Sequence, residues 1–135
     1  MHILFQMRDL AGFFAVLAEP SRLAILTLLA RHGEMCVCEI QDVLGLSQSG
    51  ASRHLKALRQ AGLLEDRRVG TWAHYRVTPT PAPRQMLLLE VFHRWLPPGA
   101  EEDIDARVAN YRAAPHDGCE AGPPGAVNAP EGARP

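Results

Sequence analysis

No stretch of this chain reaches the roughly 18 uninterrupted apolar residues that a membrane-spanning helix requires, although 47% of its 135 residues are apolar. The apolar stretch Leu10 to Ala18 is abutted by Arg8 and Asp9, and its spacing is helical rather than that of a secretory segment. No membrane partner is expected, and the cytoplasm is the expected location. Cysteine is scarce: there are three, an odd number that makes a poor disulfide framework. Charge of one sign is lacking too, since the formal net charge is only −1, which argues against a general polyanion binder. There is no Cys-x-x-Cys ahead of a βαβ pattern, no glycine loop to cradle an anion, and no strand–helix alternation to hold a catalytic thiol. A thiol oxidoreductase is therefore disfavoured, and no catalytic cofactor is expected.

What charge there is lies unevenly. Between Ser47 and Arg76 the basic residues Arg53, Lys56, Arg59, Arg67, Arg68 and Arg76 face only Glu65 and Asp66, whereas acids collect at Glu34 to Asp42 and at Glu101 to Asp105. Such a basic segment supports nucleic-acid binding only on a recognisable scaffold. Apolar periodicity supplies one. Leu10, Phe13, Phe14 and Leu17 recur at helical spacing over about Met7 to Ala18. Pro20 suits the first turn of a second helix, and Leu23, Ile25, Leu26, Leu28 and Leu29 make that helix apolar around much of its circumference until Gly33. A short third helix, Cys36 to Leu44, ends at Gly45, and Ser47 caps a fourth, Gln48 to Gln60. Helix, Gly-Leu-Ser turn, helix is the helix-turn-helix pattern.

The fourth helix turns Ala51, Leu55 and Leu58 inward and Gln48, Ser49, Ser52, Arg53, Lys56 and Arg59 outward. Short polar residues in its first turn suit base edges in a major groove, and the basic ones suit phosphates. His54 lies on the same helix and is read as a DNA-contacting or packing histidine. Leu63 to Val69 and Trp72 to Val77 read as strands around Gly70-Thr71, a hairpin wing carrying Arg76 and expected to offer Arg67, Arg68 and His74 to DNA. A fifth helix, about Arg84 to Leu96, bears Leu87, Leu88, Val91, Phe92 and Trp95 and is too apolar to stand alone. The expected fold is mainly α with a small β-hairpin wing, α-α-α-α-β-β-α. It occupies residues 1–97, with residues 98–135 as a flexible tail, acidic and then rich in Pro, Gly and Ala.

Ala18-Glu19-Pro20-Ser21-Arg22-Leu23, Gly45-Leu46-Ser47-Gln48-Ser49 and the run from Ser52 to Leu63, Ser-Arg-His-Leu-Lys-Ala-Leu-Arg-Gln-Ala-Gly-Leu, resemble the ArsR/SmtB winged-helix repressors over roughly Leu10 to Trp95. Glu34-Met35-Cys36-Val37-Cys38-Glu39-Ile40 is further similar to the ELCVCDL box of arsenic-responsive members. The resemblance implies a homodimer joined through the first and last helices, by Leu10, Phe13, Phe14, Leu17, Leu88, Val91, Phe92 and Trp95. It also implies binding to double-stranded operator DNA and release when As(III) or Sb(III) is captured by the box. Zinc-sensing relatives carry paired Asp and His ligands on the last helix; Arg84 to Leu96 offers only Glu90 and His93.

The chemistry of the box stands beside that resemblance, because soft trivalent ions prefer two or three thiolates. Cys36 and Cys38 supply two; Gln41 stands where the arsenic box commonly has a further cysteine. Cys119, a small thiol, or no third sulfur completes the site. In an ideal helix, residues two apart point roughly 200° away from each other, so holding one small ion would require the first helical turn to unwind. That expectation couples ligand capture to the helix-turn-helix. Alternatives are the same repressor sensing cadmium, lead, zinc or oxidation through the same sulfurs, and a winged-helix protein that binds another protein.

Overall fold

The computed structural model describes residues 2–79 and 82–114, the side chains of Arg84 and Leu88 excepted. Helix α1 (His2–Leu17) begins earlier than its apolar stripe requires, and its added turn leaves Ile3, Leu4 and Phe5 exposed. Helix α2 (Pro20–His32) starts where Glu19 caps it, the carboxylate accepting from the amides of Ser21 at 2.8 Å and Arg22 at 3.3 Å. Ile25, Leu26, Thr27, Leu28 and Leu29 are all buried, so α2 is the central helix, as its apolar circumference requires. Each such aliphatic side chain contributes about 1.5–3 kcal/mol by leaving water. No single described helix is long and apolar enough to cross a membrane; α1 and α2 pass that test only as a pair bent by 74°.

Two residues, Met35–Cys36, form strand β1 before α3 (Val37–Leu44). Gly45, at φ +68° in the left-handed region, ends α3, and the Leu46 amide donates back to the Gln41 carbonyl at 2.9 Å. Ser47 then caps α4 (Gln48–Gln60), its hydroxyl accepting from the Gly50 amide at 3.0 Å. Strands β2 (Leu64–Val69) and β3 (Trp72–Val77) form the hairpin. Because β1 pairs with the other edge of β3, the wing is a three-stranded antiparallel sheet of order β1-β3-β2. A two-residue strand carries no alternation of its own, which is why the pattern showed only the hairpin. Helix α5 (Pro83–Arg94) follows.

The expected flexible tail is corrected over its first part. Residues Ala100–Ala113 form helix α6, with Ile104 and Val108 buried against the core cluster and Tyr111 packed at its edge. Their spacing of four and three residues places them on one helical face. Asp105 fastens α6 to the end of α2, accepting from Arg31 Nε at 2.9 Å and lying 2.7 Å from His32 Nε2. Arg107 also donates to the Val43 carbonyl of α3 at 3.3 Å. Acidic residues in the first turn of α6, which were read as part of the flexible tail, complement the helix dipole. The Pro- and Gly-rich segment 115–135, with Cys119, lies outside the described residues.

Candidate ligand box and nucleic-acid interface

Cys36 is not a helical residue. It is the N-cap of α3, extended at φ −77° and ψ 159°, and it sits in the sheet opposite His74. Cys38 lies in the first turn of α3 and packs against Cys36, together with Trp72 from β3 and Tyr111 from α6. The roughly 200° divergence expected of two helical residues therefore does not apply. The two sulfur-bearing residues are already neighbours, and the first turn need not unwind to bring them together. Cys36 is 1% exposed and Cys38 half-buried, so a ligand reaches the pair from the Cys38 side. The start of α3 carries partial positive charge, which favours a thiolate.

Cys36 is disulfide-bonded in this structure and Cys38 is a free thiol; once Cys36 is reduced, the donor chemistry fits a soft ion through two sulfurs. No group of three His, Cys, Asp or Glu side chains that could hold a metal ion occurs among the described residues. The Tyr111 hydroxyl is raised above the ordinary phenol range, first by burial and then by Glu39, Asp42 and Cys38. It is therefore neutral beside the box at any working pH.

Just before β1, Glu34 binds the wing. Its carboxylate accepts from Arg67 Nε at 3.0 Å and lies 2.7 Å from Arg67 Nη2, with His74 Nδ1 at 3.6 Å. The sequence reading placed His74 on the DNA face, but its side chain is buried between the box and Glu34. Burial is the main cause that lowers its pKa; Arg67 adds to the shift and Glu34 opposes it.

On α4, Gln48, Ser49, Ser52, Arg53, Lys56 and Arg59 are exposed, as the helical period requires. Of the two roles read for His54, DNA contact or packing, the structure shows packing. It is 5% exposed and turns inward with Ala51, Leu55 and Leu58. Its Nδ1 accepts from Arg22 Nε at 3.0 Å, and its Nε2 lies 3.7 Å from Glu19. The Glu-Pro-Ser-Arg corner that opens α2 thus also grips the recognition helix. On the hairpin, Arg68 donates to the Thr71 carbonyl at 2.7 Å across the tip, and Arg76 pairs with Glu65 at 2.6 Å. Arg67 and Arg68 remain exposed.

Of the residues expected at a dimer face, Phe14, Leu17, Val91, Phe92 and Trp95 line one apolar groove of about 980 Å³, with Trp95 83% exposed. Leu10 is half-buried. Phe13 is corrected: it is buried in this chain's own core cluster. The side chain of Leu88 lies outside the described residues. Sequence reasoning missed Glu34, Glu19, Arg22 and Tyr111 as parts of the site. The Ile104, Val108, Tyr111 spacing was a legible signal for α6, whereas Glu34 and Arg22 become informative only once the sheet and the α1–α2 corner bring partners to them.

A short α3, a capped α4 and a wing beside them define a winged helix-turn-helix DNA-binding fold. Residues 19–66 match the family described as bacterial regulatory protein, arsR family. The arsenical resistance operon repressor of Escherichia coli K12 is 50% identical over 66 residues, covering 49% of this chain and 56% of the repressor. The chain thus spans about half the length of that curated relative. The solution structure of a homodimeric winged helix-turn-helix domain from Mycobacterium bovis, a possible ArsR-family regulator, is similar at 33% identity and a TM-score of 0.57, covering 67% of this chain and 81% of that one. The crystal structure of AntR, an antimony-specific transcriptional repressor, is similar at 30% identity and a TM-score of 0.52, covering 63% of this chain and 74% of that one. The chain belongs to the ArsR family of transcriptional regulators.

Proposed function

We propose that this protein is a cytoplasmic, non-enzymatic repressor that binds double-stranded operator DNA as a homodimer and is released when As(III) or Sb(III) is captured by Cys36 and Cys38. The observation that carries the reading is the place of the two sulfurs. They stand side by side at the N-terminus of α3, whose other end turns through Gly45-Leu46-Ser47 directly into the recognition helix. In the reduced protein the inducer would draw the two thiolates onto one soft centre, and Cys119 or a small thiol is the candidate third donor. The similarity to an arsenical resistance repressor and to an antimony-specific repressor supports a metalloid over a divalent ion.

Gln48, Ser49 and Ser52 are assigned to base edges, and Arg53, Lys56, Arg67 and Arg68 to phosphates, which supply most of the salt-dependent affinity. His54 and His74 are assigned to holding this surface in place. The exposed apolar residues Phe14, Val91 and Trp95 are assigned to the partner copy, and a homodimeric relative supports that use of the surface. The test is metalloid binding itself: arsenite added to the reduced protein should raise thiolate-to-arsenic absorbance in the near ultraviolet. Cys36→Ser and Cys38→Ser should each abolish the signal, and Cys119→Ser should weaken it if the tail supplies the third sulfur. A signal intact in both Cys36→Ser and Cys38→Ser would move the site elsewhere.

A further inference from the structure

We propose that Glu34 is a positioning residue that ties the wing arginine, Arg67, to the cysteine box, so that ligand capture moves a DNA contact through the sheet as well as through the helix-turn-helix. This rests on the operator-binding and metalloid reading above. Strand register provides the first support. Cys36 stands opposite His74, and His74 stands opposite Arg67, so the box and the wing arginine occupy one row across β1, β3 and β2.

The second support is the ion pair that spans that row. Glu34, immediately ahead of β1, holds Arg67 by its Nε at 3.0 Å and its Nη2 at 2.7 Å, with His74 at 3.6 Å beneath. One hydrogen bond, from Nε, and a close ionic contact at Nη2 lie on one edge of the planar guanidinium and orient the opposite edge. The Glu34 side chain is 14% exposed and that of Arg67 54%, so the carboxylate is the anchored partner and the arginine the presented one.

The third support is the shortness of the connection. Strand β1 has two residues, both buried, and Glu34 is peptide-bonded to the first. Only buried Met35 separates Glu34 from Cys36, so a shift of Cys36 as its sulfur joins Cys38 on the ligand is passed to Glu34 through a short, packed connection. Charge-assisted hydrogen bonds weaken steeply when their angles open, so a small displacement of Glu34 redirects or frees Arg67. The arrangement in this structure is the clamped one, and ligand capture would release it, which is the difference between states that coupling between two sites requires.

The experiment measures operator affinity of the full chain under reducing conditions, with and without arsenite, in wild type, Glu34→Gln, Glu34→Asp, Arg67→Ala and the Glu34→Gln/Arg67→Ala double variant. The readout is the release factor, the ratio of the two dissociation constants, with arsenite binding followed separately by absorbance. Glu34→Gln should bind arsenite as wild type does yet lose roughly threefold to tenfold of the release factor. Arg67→Ala should lose a similar part, and the double variant no more than either single one, because both act through one link. Glu34→Asp, which keeps the charge, should retain more than Glu34→Gln. Losses that multiply in the double variant, or a Glu34→Gln protein released like wild type, would overturn the proposal. A wild type that binds its operator and ignores arsenite would overturn the reading beneath it.

Discussion

Arg22 Nε donates to His54 Nδ1 at 3.0 Å, joining the central helix to the recognition helix through an imidazole that must be neutral to accept. Burial is the main cause that lowers the His54 pKa; Arg22 and Arg53 add to the shift and Glu19 opposes it. The unfolded chain therefore takes a proton near the ordinary value of about 6.5 that the folded chain refuses until a lower pH. Stability should be fully present above that value and fall as pH drops below it, down to the folded pKa. Urea denaturation at pH 7.5, 6.5 and 5.5 checks this, and His54→Asn should flatten part of the slope. Stability that rises on acidification would contradict the neutral-imidazole geometry.

Asp105 works in a different pH window. Hydrogen bonds from Arg31 and then His32 hold its carboxyl at about 2, below the ordinary carboxylate range. Its contribution should be present above about pH 4 and lost as pH falls towards 2. Hydrogen exchange along α6 should therefore be slow at neutral pH in wild type and fast in Asp105→Ala, with Ile104 and Val108 less protected. Equal protection in both proteins would mean that apolar packing alone holds α6.

Glycine substitutions separate two costs at the helix-turn-helix. Gly45 sits at φ +68° with nothing within 4 Å of an added Cβ, so Gly45→Ala should cost only the backbone term, about 1 kcal/mol. At Gly50 an added Cβ would lie 2.9 Å from Ser47 Oγ, so Gly50→Ala should disturb the N-cap, at about 0.5–2 kcal/mol. Ile25→Ala, at a fully buried core position, should exceed both at roughly 2–5 kcal/mol. Denaturant midpoints rank the three.

Arg53→Ala should lower operator affinity and reduce the slope of log affinity against log salt by about one, as loss of one phosphate contact does. The same substitution should leave the oligomeric state unchanged. An unaltered slope would take Arg53 out of the interface.

Helical periodicity made the order of the first five helices and the outward face of α4 legible, because α4 has one wet side and one dry side while α2 is apolar around much of its circumference. It could not show β1, since two residues carry no period, and so it placed Cys36 in the helix when the chain uses it as the cap. His74 was misplaced, and the choice between DNA contact and packing for His54 left open, for a related reason. Each lies among polar residues on a surface element, and only the tertiary partners, Arg22 with Glu19 and Glu34 with Arg67, draw it inward. The acidic run at residues 101–105 read as the start of a flexible tail, yet Asp105 belongs to the α2 contact and Ile104 to the core.

The central claim is that Cys36 and Cys38 switch DNA binding. It is tested most directly by fluorescence anisotropy on a labelled operator duplex under reducing conditions, titrating arsenite into wild type and into Cys36→Ser/Cys38→Ser. The expected result is tight binding by both proteins, with release of the wild type alone. Release of both proteins to the same extent, or of neither, would contradict the claim.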